Sequence, residues 1–176
     1  MKTIVIYKSK SGFVKKYAAW IAAELSADLY EASQVTVGGL TAYDTVIYGG
    51  GLYVGGINGV KLITQNLDKL IGKKVVVFAS GATPPRTEAL DEVQNKNFTT
   101  EQLRRIRFFY LRGGFDYSQL TPVDKILMNL LKWKLKRKQE LTADERGMLA
   151  AYAHPVDFTR KKNIDDLIAY VRSSIV

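Results

Sequence analysis

The chain contains no cysteine. That excludes disulfides, thiolate nucleophiles and iron–sulfur ligation, so any redox chemistry has to come from a bound cofactor. Histidine is nearly as scarce. The single His154 precedes Pro155, has no second histidine at a ligand spacing, and reads as structural or exposed. Neither G-x-x-x-x-G-K-[ST] nor G-x-G-x-x-G follows any predicted strand, which argues against ATP or GTP hydrolysis and against dinucleotides. No apolar run approaches the length needed to cross a bilayer. Met1-Lys2 leads directly into a strand with no leader pattern, so a cytoplasmic location is expected. Acidic residues are in deficit: 17 Asp and Glu stand against 26 Lys and Arg, a formal charge of +9 that suits anionic partners. Aromatic residues are not interleaved with basic ones as in nucleic-acid modules, which makes nucleic acid a poor candidate. No repeat or low-complexity tract interrupts the 176 residues; with 47% hydrophobic and 24% charged residues they suit one domain over 1–176.

What is present begins with a strand, a loop and a helix over residues 3–26. Thr3-Ile4-Val5-Ile6-Tyr7 is a β-branched run of the kind a buried parallel strand uses. It stops at Lys8-Ser9-Lys10-Ser11-Gly12, and from Phe13 the period becomes helical, with Val14, Tyr17, Ala18, Ile21, Ala22 and Leu25 on one face. The loop therefore joins a strand's carboxyl end to a helix's amino end, where unpartnered N–H groups and the helix dipole favour a phosphate. Hydroxyls of Ser9 and Ser11 add donors, and Gly12 lets the backbone close on a ligand. The same serines also suit plain helix capping.

The pattern repeats along the chain. Leu29 and Tyr30 mark a brief second strand. Thr45-Val46-Ile47-Tyr48 is a third, running into Gly49-Gly50-Gly51-Leu52-Tyr53-Val54-Gly55-Gly56, with five glycines in eight positions. Open α/β sheets bind ligands at such carboxyl ends, and Tyr53 serves either as a ring platform there or as packing on the next helix. Val60, Ile63, Leu67, Leu70 and Ile71 predict one helix stopped by Gly72. Lys74 to Ala79 is the clearest buried strand and delivers Ser80-Gly81-Ala82-Thr83-Pro84-Pro85-Arg86 at the same end, with Arg86 facing either a ligand or solvent. Thr99 and Gln102 have capping-box spacing before a short helix, Arg107 to Arg112 reads as the fifth strand, and Gly113-Gly114 closes it. A last helix is predicted from an Asn163 N-cap, burying Ile164, Leu167, Ile168 and Val171. The expected fold class is α/β, a doubly wound five-stranded parallel sheet of order 2-1-3-4-5.

Residues 115–162 exceed what a link from the last strand to the last helix needs and form a helical insertion before that helix, a length that usually has a job. Within it Val123, Ile126, Leu127, Leu130, Leu131 and Trp133 make a broad apolar face, with Lys125, Lys132 and Lys136 opposite. Lys132-Trp133-Lys134-Leu135-Lys136-Arg137-Lys138 is the densest positive cluster. Pro122 to Lys138 suits contact with an anionic membrane surface, at the inner face of a membrane, or alternatively covers the sheet edge. A further helix is expected from Thr142, boxed by Glu145.

Ser9-Lys10-Ser11-Gly12-Phe13-Val14 resembles the T-x-T-G-x-T phosphate loop of the flavodoxin family, with Val14 in place of the last hydroxyl. The resemblance implies an FMN site. Its phosphate would lie on Ser9, Lys10, Ser11, Gly12, Phe13 and Val14, and its ring between Gly50, Gly51, Leu52 and Tyr53 on one side and Ser80, Gly81, Ala82 and Arg86 on the other. Together with Arg112-Gly113-Gly114-Phe115-Asp116-Tyr117 and the basic, apolar helix after it, the chain resembles the flavodoxin-domain menaquinone-dependent protoporphyrinogen dehydrogenase subfamily. In that subfamily the inserted segment is associated with activity and the membrane. The resemblance implies an FMN-dependent oxidoreductase passing electrons from a porphyrinogen-like donor to a quinone-like acceptor, with no acid–base pair evident among its side chains. An electron carrier without its own substrate, and a flavin-free interaction or membrane-surface protein, are the alternatives. A redox partner or quinone is the expected partner.

Overall fold

The computed structural model describes residues 1–53 and 55–173; Val54, within the glycine-rich stretch, lies outside them. In chain order the elements are β1 (Thr3–Lys8), α1 (Phe13–Leu25), β2 (Asp28–Glu31), α2 (Val37–Leu40), β3 (Thr45–Tyr53), β4 (Gly56–Ile57), α3 (Lys61–Thr64), β5 (Lys74–Gly81), α4 (Thr87–Asn97) and α5 (Thr100–Arg105). They continue with β6 (Ile106–Arg112), β7 (Gly114–Phe115), α6 (Pro122–Lys136), α7 (Ala143–Ala151), β8 (Val156–Asp157) and α8 (Asp165–Arg172). The main path through the sheet is β2-β1-β3-β5-β6, all parallel, which is the order 2-1-3-4-5 expected for the five principal strands.

Alternation along the central strands divides the core into two layers. Ile4, Ile6, Val46, Tyr48, Val75, Val77 and Ala79 face the side of α3, α4 and α5, while Val5, Ile47, Val76 and Phe78 face α1 and α8. Each Val, Ile or Phe among them, fully buried, contributes about 1.5–3 kcal/mol. Both layers are needed, because a parallel strand with a wet face would expose the apolar side chains it carries on that side. Register brings the carboxyl ends into one row: Lys8 lies opposite Gly50, Gly51 opposite Ser80, and Gly81 opposite Arg112. Lys74, buried at the opposite end, donates to the carbonyls of Tyr170, Val171 and Ser173, so a cation closes the C-terminal end of α8.

Several elements differ from the reading of the sequence. The third strand does not stop at Tyr48; it runs to Tyr53 and folds back as a hairpin, with Leu52 opposite Ile57 and Tyr53 opposite Gly56. The helix expected over 60–71 is broken into α3 and a 3-10 turn, Leu67–Leu70. Helix α4 was not legible because Val93 is its one buried residue, with Ala89 and Leu90 the only half-buried apolar side chains beside it. Asn163 does not cap the last helix. Its amide donates to the Tyr17 hydroxyl at 2.7 Å, and a 3-10 turn, Lys161–Ile164, leads into α8. The capping boxes at Thr99 and Thr142 are both formed.

The inserted residues form a helical hairpin, α6 and α7, whose base is clasped by β7 and β8: Gly114 pairs with Asp157 and Phe115 with Val156. Phe115, Tyr117 and Tyr152 stack at its root, with ring centroids 5.4 and 5.5 Å apart. The Tyr152 hydroxyl donates to the Met128 carbonyl at 2.6 Å and holds α6 to α7. The apolar face of α6 does not cover the sheet edge. Val123, Ile126, Leu127, Leu130 and Trp133 are 43% to 68% exposed, and the buried residues of the helix are Asp124 and Leu135. Among the described residues no helix is long and apolar enough to cross a membrane.

Candidate functional site

The turn between β1 and α1 is preorganised by its own residues. Ser9 Oγ accepts the Gly12 N–H at 3.0 Å, and Gly12 adopts φ 85°, a left-handed conformation that a side chain would strain. Gly12 is the N-cap of α1, no side chain caps that helix, and no acidic residue stands in its first turn. Ser11 is half-buried and does not act as the cap. A Cβ placed on Gly12 would meet nothing within 4 Å, so open space lies above the turn. An uncapped helix start, free of acids and facing open space, fits a phosphate group.

The other two loops stand in the same row. Gly50 and Gly51 lie within β3. A Cβ on Gly50 would press on Ile57 and the Asn58 carbonyl, and one on Gly51 would touch Val14 at 3.7 Å. Val14 itself is buried in the layer beside α1, whereas Phe13 packs its ring over Gly114. Leu52 leans on Gly81, which brings the hairpin into contact with the end of β5. Asn97, at the end of α4, fixes the hairpin: its Oδ1 accepts the Ile57 N–H at 2.7 Å and its Nδ2 donates to the Gly55 carbonyl at 2.8 Å.

Ser80 is buried, and its Oγ has no partner among the described residues. A Cβ on Gly113 would lie 2.3 Å from that oxygen, which places the orphan hydroxyl beside Gly113, close to Phe13. The loop beyond is held by β6: Arg112 Nε donates to the Ala82 carbonyl at 3.2 Å, the Gly113 N–H to the Gly81 carbonyl at 2.8 Å, and the Tyr110 hydroxyl to the Thr83 carbonyl at 2.6 Å. Burial pushes the Tyr110 pKa up to about 12, so this hydroxyl keeps its proton at neutral pH. Arg86 is exposed at the N-cap of α4.

Lys10 does not reach freely into solvent. Its ammonium is 2.8 Å from both oxygens of Asp124 on α6 and 4.5 Å above the centre of the Tyr53 ring. Asp124 also accepts the Thr121 hydroxyl at 2.8 Å. The Lys10 ammonium, with Thr121, holds the Asp124 carboxyl below the usual carboxylate range. Burial, and then the neighbouring Asp124, raise the Tyr53 pKa. The structure thus brings Ser9, Lys10, Ser11, Gly12 and Tyr53 around one corner and Ser80, Gly81 and Ala82 beside it. Val14 lies in the core and Gly50 under the hairpin. Asp124, Asn97 and Tyr110 are site neighbours that the pattern of the sequence did not single out, while Arg112 was marked only as part of the 112–117 stretch. Asp124 carried only the signal of a helix start, Thr121-Pro122-Val123-Asp124.

The sequence profile of the family described as "Flavodoxin domain" matches residues 4–142, from β1 to the residue that caps α7. An uncharacterized protein of Methanocaldococcus jannaschii is 32% identical over 106 residues, 56% of this chain and 69% of that protein. Among solved structures, the Trp repressor binding protein of Bacillus subtilis superposes with a TM-score of 0.50 at 16% identity, over 80% of this chain and all (100%) of that one. Oxidised flavodoxin 1 of Bacillus cereus gives 0.46 at 22% identity, over 81% and 100%. At 16% identity the likeness to the Bacillus subtilis protein speaks to the fold alone.

Proposed function

The chain belongs to the flavodoxin domain family, and from that premise we propose that it is an FMN-dependent oxidoreductase that takes electrons from an organic, porphyrinogen-like donor and passes them to a quinone-like acceptor. The observation that carries the FMN reading is the β1–α1 turn: its helix start is uncapped with no acid in the first turn, preset by Ser9 and open above Gly12. Ser9, Ser11 and Gly12 would hold the phosphate, Tyr53 and Leu52 one side of the ring, and Ser80 to Ala82 the other, with the unpartnered Ser80 hydroxyl available to a ligand atom. Bound FMN would supply the hydride and electron transfer that this cysteine-free chain cannot supply itself. The protein's share is to orient the ligand and set its electrostatics. Lys10, paired with Asp124, fixes the rim beside Tyr53, while Tyr110 and Arg112 keep the loop after β5 in place through backbone carbonyls.

The acceptor class rests on α6. Its exposed apolar stripe, with a groove of about 420 Å³ lined by Ile126, Asn129, Leu130 and Trp133, adjoins the cluster Lys132 to Lys138. Such a face suits an anionic lipid surface, where quinones reside. An electron carrier without its own substrate is the weaker reading, since the +9 charge opposes docking on basic partners.

Ser11→Asp tests the site. It sets a carboxylate against the phosphate and is expected to abolish FMN binding measured by calorimetry, while the far-UV circular dichroism stays unchanged. Unchanged affinity would place the ligand elsewhere.

A further inference from the structure

Asp124 is 3% exposed, and its ion-pair partner lies 114 residues away on the phosphate turn. A carboxylate removed from water to that degree is costly unless paired. Capping accounts for only part of it: one carboxylate oxygen accepts the Thr121 hydroxyl at 2.8 Å, while both oxygens also accept from Lys10. What the carboxylate adds is reach across the molecule: it grips the Lys10 ammonium through both oxygens, and Lys10 in turn covers the Tyr53 ring at 4.5 Å. Three elements thereby meet at one side chain: α6 of the insertion, the β1–α1 turn and the β3–β4 hairpin.

We propose that Asp124 is a positioning residue that makes the seating of α6 part of the candidate FMN site. The identity of the ligand rests on the reading above; the coupling itself rests on this contact. With the contact closed, Lys10 and Tyr53 are fixed before a ligand arrives. With it broken, the turn, the lysine and the tyrosine must be ordered on binding, which weakens affinity. Linkage is reciprocal, so a ligand in the site stabilises the seating of α6 as much as α6 stabilises the ligand.

The test is a double-mutant cycle on the full chain, Lys10→Met and Asp124→Asn, with FMN as the calorimetric probe. Each single substitution is expected to weaken binding about tenfold, within the usual range of coupling between sites. The double variant is expected to bind no more weakly than either single one. Lys10→Arg, which keeps the cation and pairs well with a carboxylate, is expected to restore binding. If Asp124 acts only as a negative charge near an anionic ligand, Asp124→Asn tightens binding while Lys10→Met weakens it; opposite signs, or additive losses, overturn the proposal. A second arm needs no ligand. In hydrogen exchange, either single substitution is expected to accelerate both residues 122–136 and residues 9–13 while β5 stays protected. Acceleration confined to 122–136 overturns the coupling. If the unsubstituted chain binds no FMN, the functional reading fails while this arm still decides the coupling.

Discussion

Gly49 shows how a residue's type can be legible while its use is not. From sequence alone, glycines 49–56 pointed to a loop opened for a ligand. In the fold Gly49 is strand, and a Cβ there would lie 2.1 Å from Cζ of the fully buried Phe78. The glycine exists so that an aromatic side chain of the neighbouring strand can cross it. Gly49→Ala overpacks that contact and is expected to cost about 1–3 kcal/mol, read as a lower urea midpoint at unchanged slope. An unchanged midpoint would mean that Phe78 yields without cost. Asp124 is the opposite case. Its local signal, an acid in a helix's first turn after Thr121-Pro122, was plain, but a partner 114 residues away leaves no trace in local pattern. Ser9 and Gly12 were legible because turn chemistry is local: a hydroxyl accepts an N–H three residues on, and a positive φ favours glycine.

Among the elements, α6 was legible in extent and illegible in orientation. Its period gave a helix and an apolar stripe that suited either an anionic membrane surface or cover for the sheet edge. The helix turns Asp124 and Leu135 inward and leaves the stripe outside, because the insertion is rooted elsewhere, by the β7–β8 pair and the Tyr152 cluster. An exposed stripe of this size is unusual unless something covers it. If that is an anionic membrane surface, replacing Lys132, Lys134, Lys136 and Lys138 by Gln removes four cations, each worth about 1 kcal/mol near such a surface. The substituted protein is then expected to stay in the supernatant when vesicles with anionic lipid are sedimented, and to turn over a quinone acceptor more slowly. Equal sedimentation and equal turnover would make the insertion purely structural. Helix α4 escaped notice for a related reason. It rests one buried residue, Val93, on the sheet, and its contribution is the side chain of Asn97 holding the hairpin.

At the scale of the whole molecule, strand order was legible because each buried run ended in a small-residue loop and each helix between them allowed only a right-handed crossover. That logic brings the three loops to one end from the sequence alone. It does not bring α6 to them, since an insertion attached at 115 and 156 is free to fold toward any face. The charge of +9 acts at this scale too, favouring an anionic ligand in the site and an anionic surface beneath the insertion. The central claim, that this corner of the sheet holds FMN, is tested most directly by equilibrium dialysis of the full chain against FMN, with the visible absorbance of the retained flavin. The account predicts saturation at one FMN per chain with a shifted, structured flavin band, and loss of both in Ser11→Asp. Retention of no flavin, or of flavin indifferent to that substitution, would contradict it.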